Sequence, residues 1–223
     1  MQTIAYIDGY NLFYGCLKGT PYKWLDIVKL CQRILREHNP EARLIQVKYF
    51  TAIVKGSLSK RNTLSPQSQQ RYHRALRALY PEPFLEIIES AYSLERAFFH
   101  PYEKPIPLDN KVAVWRPEEK QTDVKIALHI YRDVMLNNCN SVMLFSNDSD
   151  LTPALEFSRQ SHPEVELGVI FPRKEGTERP PNASLTECAT WSRQVIRNEE
   201  LDGSLMNDVV PTSKKPAIKP EHW

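Results

Sequence analysis

The feature that most constrains the fold is an alternation of apolar, strand-like runs with amphipathic helical segments. Short apolar runs occur at residues 3–7, 141–146 and 165–171, and residues 122–136 show apolar side chains at helical spacing. Strands that are apolar along their whole length are buried on both faces, which is typical of a parallel sheet covered by helices. The pattern predicts an α/β fold with a central, mainly parallel sheet.

The remaining elements are predicted from the same periodicities and from the positions of proline. Six of the seventeen prolines lie between residues 81 and 117, which disfavours helix there and leaves two short strands. We expect Thr122 to cap its helix. The other predicted helices lie at 24–35, from 66 onward, at 151–160 and at 183–192. The other predicted strands lie at 44–54, 84–88, 111–115 and 194–197.

The length and composition place the chain among ordinary globular proteins. With 223 residues it has room for one sizeable core, so we predict one domain over residues 1–202 and a tail over 203–223 whose composition alone looks loosely structured. No apolar run approaches a membrane span and the N-terminus lacks secretory-signal features, so we expect a cytoplasmic protein without membrane contact. The four scattered cysteines favour buried free thiols over zinc sites or disulfides.

One basic segment interrupts an otherwise acidic chain. Residues 42–80 contain eight Lys or Arg and no Asp or Glu, whereas the other 184 residues carry 21 basic and 27 acidic side chains. A helical wheel places arginines opposite a buried side formed by Tyr72, Ala75, Leu76 and Leu79. Such a segment is typical of phosphate-binding surfaces, although a solvated face explains it equally. The predicted nucleic-acid-binding cations are Lys60, Arg61, Arg71, Arg74 and Arg77.

Four aspartates lie where sheet topology brings side chains together. Asp8 follows the first strand, and Asp148 and Asp150 follow the strand at 141–146. Ligands bind at the carboxyl ends of such strands, so these acids share one crevice if the two strands are neighbours. Asp123 lies on the core-facing side of the first turn of its helix and points to the same edge. Crowded carboxylates repel, and an all-oxygen set suits a hard cation such as Mg²⁺ or Mn²⁺, which activates water and polarises phosphoryl oxygens.

Each of these residues taken alone has a purely structural explanation. Asp8 fits an Asp-Gly turn, Asp123 fits a helix N-terminus, and Asp148 or Asp150 fits a helix cap. Asn11 fits either a helix cap or a group that orients water or phosphate. The joint placement of the acids favours a catalytic site. The neighbouring polar residues, which fit either turn chemistry or phosphate contact, are Ser146, Asn147 and Ser149.

Three segments resemble the NYN domain family, whose members are relatives of the PIN-domain nucleases. They are YIDGYNLFY at 6–14, EKQTDV at 119–124 and FSNDSDL at 145–151, and the likeness covers nearly the whole chain. The resemblance implies a PIN-like three-layer α/β/α sandwich with an acidic, Mg²⁺-binding pocket that cleaves RNA. By position, Asp8, Asp123, Asp148 and Asp150 match the acidic pocket, and Asn11 matches the polar residue after the first strand.

The likeness also bears on the tail and on two positions in the pocket. The segments TPYKWL at 20–25 and IKPEHW at 218–223 look like features of one bacterial branch, which favours a tail that docks back on the domain. Family members often have glycine where this chain has Gln121 and Asn147. Bulkier side chains at those positions are expected to narrow the pocket.

Three functions follow from these patterns. The first is a metal-dependent ribonuclease that uses the four aspartates as ligands for Mg²⁺ or Mn²⁺. The second is a module that binds RNA or a nucleotide without cutting it. The third is a small-molecule hydroxylase, because one branch of the family is associated with hydroxylating a pyridine derivative, although the sequence has no G-x-G-x-x-G fingerprint. The RNA substrate and a homo-oligomeric state stay open.

Overall fold

The computed structural model describes residues 1–53, 64–178 and 180–223 and contains alternating strands and helices. The strands are β1 (Gln2–Asp8), β2 (Arg43–Ala52), β3 (Leu85–Phe99), β4 (Val112–Lys120), β5 (Ser141–Phe145), β6 (Glu166–Ile170), β7 (Trp191–Arg193), β8 (Val209–Val210) and β9 (Ala217–Ile218). The α-helices are α1 (Gly9–Leu12), α2 (Ile27–His38), α3 (Leu64–Leu79), α4 (Thr122–Met135), α5 (Thr152–Ser161), α6 (Ala183–Cys188) and α7 (Asn198–Asp202). A π-helical turn at Phe13–Leu17 and 3-10 turns at Pro21–Trp24 and Ser149–Leu151 complete the helical elements.

Seven strands form one sheet in the order β4-β3-β2-β1-β5-β6-β7. Neighbouring strands are parallel throughout except for β4, which pairs with β3 in the antiparallel direction. The central strand β1 lies between β2 and β5, and every residue of β5 is buried. The predicted α/β fold with a mainly parallel sheet is confirmed.

Helices cover both faces of the sheet and divide the interior into two apolar clusters. Ala5 and Ile7 of β1 pack into the cluster that includes α2 and α3, whereas Ile4 and Tyr6 pack into the cluster that includes α4 and α5. This alternation along one strand is what a sheet buried on both sides requires. The three-layer α/β/α arrangement is therefore present.

A buried polar group fixes α4 to the sheet. Asp133 of α4 accepts a 2.8 Å hydrogen bond from the Tyr6 hydroxyl of β1 and forms an ion pair with Lys48 of β2. Burial alone raises the pKa of Asp133, but hydrogen bonds from Lys48, Asn138 and Tyr6 outweigh it and hold the pKa below its usual value. Lys48 is thus an internal cation, and it does not contribute to the basic surface that the sequence suggested for residues 42–80.

Two predicted helix boundaries are wrong, each because of a specific contact. The helix predicted at 24–35 begins at Ile27, since Asp26 caps it by accepting a 2.9 Å hydrogen bond from the Lys29 amide. The helix predicted at 183–192 ends at Cys188, because Trp191 pairs with Gly168 of β6 instead. A Cβ at Gly168 would lie 2.4 Å from the Trp191 ring, so only glycine admits this pairing. The last sheet strand is therefore β7 and not the predicted strand at 194–197.

The proline-rich region forms a long hairpin instead of two short strands. Within β3, residues 85–90 pair with β2, and residues 91–99 pair with β4 instead. Three of the prolines, Pro101, Pro105 and Pro107, lie in the connection between the two strands, where they interrupt no ladder. The hairpin consequently extends past the carboxyl end of β2.

Helix α3 carries the predicted arginine face. It begins at Leu64, two residues before the predicted start, and buries Tyr72, Ala75 and Leu76 as expected. Leu79 is 41% exposed, contrary to expectation, because the helix ends there. Lys60 and Arg61 lie outside the described residues.

The C-terminal residues pack against the domain. Met206, Val210 and Ala217 belong to the cluster of α2 and α3, and the Trp24 indole donates a 2.9 Å hydrogen bond to the Asn207 carbonyl. The division into a domain over 1–202 and a separate tail stays a prediction. The four cysteines are buried free thiols, as expected. None of the described helices combines the length and apolar character needed to cross a bilayer.

We expect the final residue to stabilise the domain. The Trp223 ring packs against Trp24 and Tyr72 at centroid distances of 6.1 and 5.9 Å. The substitution Trp223→Ala should lower the free energy of unfolding by about 2 kcal/mol, roughly half the loss for a fully buried tryptophan. Urea denaturation measures this. Val209→Ala, at a tail residue that is 52% exposed, is the control and should change it little; equal losses in both variants would contradict the docking role.

Candidate active site

The candidate site lies at the carboxyl edge of the sheet, where β1 and β5 end side by side. The two strands pair in parallel with Ile7 opposite Phe145, so the segments that follow them leave the sheet at the same edge. Asp8 ends β1, and Asp148 lies three residues beyond β5. The two strands are neighbours, which meets the condition under which the acids were expected to share one crevice.

Asp8 is buried and its carboxylate is held by three hydrogen bonds. Its Oδ1 accepts from the Asn11 amide at 2.9 Å, and its Oδ2 accepts from Asn11 Nδ2 at 2.6 Å and from Ser146 Oγ at 2.9 Å. The following Gly9 opens α1 against β2, where a Cβ would lie 2.6 Å from the Phe50 carbonyl oxygen. The Asp-Gly pair therefore marks a close approach of two backbone segments and not a turn.

Ser146 links the two acidic segments. Its hydroxyl donates to Asp8 and accepts a 3.1 Å hydrogen bond from the Asp148 amide. Asp148 in turn accepts a 3.0 Å hydrogen bond from the Asp150 amide and caps the 3-10 turn. Because Ser146 is completely buried, we assign it the positioning of Asp8 and not the phosphate contact predicted from the sequence. Ser149 is exposed, so its predicted RNA contact stays open.

Asp123 enters the site from the first turn of α4. The residue before the helix, Gln121, has φ 73°, in the left-handed region that favours glycine. Gln121 occupies the N-cap position and Thr122 is the first helical residue, so the predicted cap at Thr122 is wrong. This backbone turn explains why glycine suits the Gln121 position, and the Gln121 side chain is exposed.

The four aspartates lie close enough for the charges of three of them to raise the pKa of the fourth, Asp123. Burial raises the pKa of the Asp123 carboxyl, and the charges of Asp148, Asp8 and Asp150 raise it further, to about 6. The second cause is the repulsion expected of crowded carboxylates. Three acids from two other chain segments thus raise the pKa of Asp123, as expected if sheet topology gathers them at one edge.

Two asparagines brace the edge of this cluster. The backbone amide of Asn147 donates a 3.3 Å hydrogen bond to Asn11 Oδ1. The side-chain oxygen Oδ1 of Asn147 accepts a 2.8 Å hydrogen bond from the backbone amide of Asn182. Asn147 therefore ties the segment after β5 to the start of α6. Family members often have glycine at position 147, and in this chain the Asn147 side chain makes the contact to Asn182.

The donor set suits a hydrated divalent cation. Within residues 1–53, 64–178 and 180–223, no three His, Cys, Asp or Glu side chains form a ready-made metal site. Mg²⁺ commonly retains several waters and binds proteins through one or two carboxylates together with substrate phosphates. A cation of this kind would relieve the repulsion that raises the pKa of Asp123. The oxygen-only chemistry of the four aspartates therefore fits Mg²⁺ or Mn²⁺ bound partly through water.

An aromatic pair lies beside the acids. Tyr10 and Tyr14 are each 50% exposed, and their ring centroids lie 4.4 Å apart. Their neighbour along α1, Asn11, contacts Asp8. The rings are inclined by 35° to each other and Lys18 Nζ lies 4.6 Å from the Tyr14 centroid, so the pair forms a half-exposed aromatic patch close to Asn11.

The arginines of α3 are largely engaged by other parts of the protein. Arg74 Nη2 donates a 3.2 Å hydrogen bond to the Pro216 carbonyl, and Arg77 Nη2 lies 3.2 Å from Glu89 Oε1. Arg71 lines a cleft of about 550 Å³ between α3 and the C-terminal residues, with Lys215 and Lys219. The arginine face predicted on α3 is therefore exposed, and at Arg71 and Arg74 it borders a cleft whose other side is formed by the C-terminal residues.

Comparison with known proteins identifies a family and two relatives. Residues 2–184 match the NYN domain. A protein named 6-hydroxy-3-succinoylpyridine 3-monooxygenase HspA, from Pseudomonas putida (strain DSM 28022 / S16), is 36% identical over 241 residues, covering 100% of this chain and 75% of that protein. A crystal structure of a protein of unknown function from Vibrio parahaemolyticus RIMD 2210633 has a TM-score of 0.55 at 18% identity, covering 92% of this chain and 96% of the other. This last likeness supports the fold alone.

The raised pKa of Asp123 predicts how stability depends on pH. Because its folded-state pKa of about 6 lies above the ordinary aspartate value of 3.8, the folded protein binds more protons than the unfolded chain between these two pH values. The stability contributed by this proton is complete below about pH 4 and is lost as the pH rises to about 6. We expect Asp148→Asn, which preserves a capping side chain, to lower the pKa of Asp123 and to reduce this loss.

Carbon-detected NMR of the Asp123 carboxyl and denaturation at several pH values, both in a chelator, measure these effects. Asp109→Asn is the matched control, because it removes one exposed carboxylate outside the cluster. An Asp123 pKa that is the same in wild type and Asp148→Asn would show that the two carboxylates do not interact.

Proposed function

Because this chain belongs to the NYN domain family, which is of nuclease type, we propose that it is a metal-dependent ribonuclease. In this proposal Asp8, Asp123, Asp148 and Asp150 form the catalytic acid cluster. The observation that carries it is the parallel pairing of β1 with β5, which sets Asp8 beside the Asp148 segment with Ser146 linking the two. The raised pKa of Asp123, caused by burial and by the other three carboxylates, supports it. A site that crowds four acids beside a solvent-accessible edge is suited to a cation and a phosphate.

In this proposal, different residues would bind the metal ion and orient its ligands. The four aspartates would hold Mg²⁺ or Mn²⁺, which when bound supplies charge stabilisation to the phosphoryl group and lowers the pKa of water. Asn11 and Ser146 orient Asp8, because they donate hydrogen bonds to both oxygens of its carboxylate. Asp148 is half-buried and Asp150 exposed, so these two face the side from which substrate arrives.

The cations outside the cluster would hold the RNA backbone. Arg71 and the exposed Ser149 are the described residues that we assign to phosphate contact. Arg74 and Arg77 already contact Pro216 and Glu89, so their contribution would be to the positive potential of the surface.

Substitution of Asp148 tests the proposal. Asp148→Asn should reduce Mn²⁺-dependent cleavage of a mixed-sequence, single-stranded RNA by at least about a hundredfold, because it removes a charged ligand while retaining the cap. Gel electrophoresis of end-labelled RNA measures cleavage, and circular dichroism checks folding. Glu41→Gln, which removes an exposed carboxylate before β2, away from the cluster and from the hairpin of β3 and β4, should cleave as the wild type does. Undiminished cleavage by Asp148→Asn would overturn the assignment.

The monooxygenase relative favours a second candidate, hydroxylation of a hydroxypyridine. Its similarity extends over the whole chain, and Tyr10 and Tyr14 expose aromatic surface close to Asn11, which contacts Asp8. Such a reaction places one oxygen atom of O₂ on the ring and reduces the other to water with two electrons from a donor such as a reduced nicotinamide. Turnover of 6-hydroxy-3-succinoylpyridine with O₂ and this donor, together with no RNA cleavage, would replace the ribonuclease proposal.

A further inference from the structure

The hairpin of β3 and β4 forms an arm, residues 91–120, beyond the carboxyl end of β2. Residues 85–90 of β3 pair with β2 up to Ala52, and the nine residues after them pair only with β4. At the rise of an extended strand, this paired part is about 30 Å long. The arm therefore begins at the edge of the sheet that carries the acid cluster.

The arm also leads directly into that cluster. Strand β4 ends at Lys120, and the chain passes through Gln121 into the first turn of α4, which holds Asp123. A ligand lying along the arm would thus meet the acids at its base.

The two faces of the arm differ in chemistry. Ile87 packs on the α2 and α3 side of the sheet and Ile88 on the α4 side. Since side chains alternate along a strand, Leu94, Arg96 and Phe98 lie on the α4 side. Across the hairpin, Arg96 is opposite Trp115 and Phe98 is opposite Ala113. We call this side the arginine–aromatic face, and it consists of Leu94, Arg96, Phe98, Ala113 and Trp115.

This face exposes aromatic surface next to a cation. Trp115 is 69% exposed and Phe98 is 56% exposed. The Arg96 guanidinium carbon lies 5.0 Å from the centroid of the Phe98 ring. Large exposed aromatic side chains on a two-stranded arm are costly unless a partner covers them.

Charge indicates what that partner is. Among the side chains described in 94–99 and 112–116, the one carboxylate is Glu95, which lies on the opposite face across from Arg116. In the outer part of the arm, where the structure describes the side chains of residues 94–99 and 112–116, the arginine–aromatic face therefore carries the charge of Arg96 and no carboxylate. Aromatic rings interleaved with arginine form the surfaces on which proteins stack the bases of single-stranded nucleic acids.

We propose that the arginine–aromatic face binds single-stranded RNA, with bases stacked on Trp115 and Phe98 and with Arg96 at the phosphate backbone. The proposal rests on the ribonuclease function and assigns the arm the stretch of RNA next to the cleaved bond. It makes the enzyme selective for unpaired strands, because duplex RNA keeps its bases stacked on one another.

Binding measured without cleavage tests the proposal. The probe is a short fluorescein-labelled oligouridine, and its anisotropy is titrated with the full-length protein in EDTA. The double variant Phe98→Ala/Trp115→Ala should bind about twenty-fivefold more weakly or worse, because it loses two base stacks that each contribute a factor of about five or more. Arg96→Gln should reduce the dependence of log affinity on log salt by about one unit.

Matched controls use the opposite face of the same arm. Phe99→Ala and Arg116→Gln remove a ring and a guanidinium that lie 5.9 Å apart there, and both should leave affinity and salt dependence unchanged. Equal losses from the two faces would overturn the proposal. So would sedimentation that shows a dimer dissociating in the double variant at unchanged RNA affinity, because the arm would then be a protein interface.

The two proposals fail in different ways. If the wild type binds oligouridine through Trp115 and Phe98 and yet cuts no RNA with Mn²⁺, the arm is supported and the ribonuclease function is not. If the wild type cuts RNA and the double variant binds and cuts as well, the ribonuclease function is supported and the arm is overturned.

Discussion

Electrostatic repulsion among carboxylates at one edge of the sheet is the constraint on which the site depends. Hydrogen bonds inside the site and a buried ion pair on α4 both oppose this repulsion. Asp8 is stabilised by hydrogen bonds from Asn11 and Ser146, whereas Asp123 responds by a pKa raised to about 6. The helix that carries Asp123 is anchored from below, because buried Asp133 of α4 joins Lys48 and Tyr6 of two strands. The acids are therefore kept close by parts of the protein that do not themselves take part in the chemistry, which is how a preorganised charged site is maintained against its own repulsion.

The gathering of the acids could be predicted because it follows from topology. Once two apolar strands are parallel neighbours, the residues after them must share an edge, and a helical wheel adds Asp123. Other features depend on tertiary contacts that no periodicity encodes. The hydroxyl of Ser146 reaches Asp8 across 138 positions of sequence. Position 168 requires glycine because the Trp191 ring lies against it. Lys48 resembles a surface cation in the sequence, but in the structure it is buried and paired with Asp133.

The arm shows why the proline-rich region was the hardest part to predict. Prolines correctly argued against helix, but the short strands predicted at 84–88 and 111–115 cover only part of the paired strands. Strand β3 continues for nine residues beyond its pairing with β2 because β4 satisfies its backbone hydrogen bonds. Its apolar residues lie on both faces, so neither strict alternation nor a buried run describes them. Phe98 and Trp115 are exposed on the two paired strands, so these rings add little to stability by burial and indicate a binding surface.

The fold is compatible with both hydrolysis and hydroxylation, so the acid cluster has to decide between them. The central claim is that the aspartates together hold a divalent cation, and calorimetric titration of Mn²⁺ into the metal-free protein tests it without requiring the right substrate. The account predicts saturable binding to the wild type and to Asp109→Asn, and at least about tenfold weaker binding to Asp148→Asn. Absence of binding to the wild type, or equal affinity in all three proteins, would contradict it.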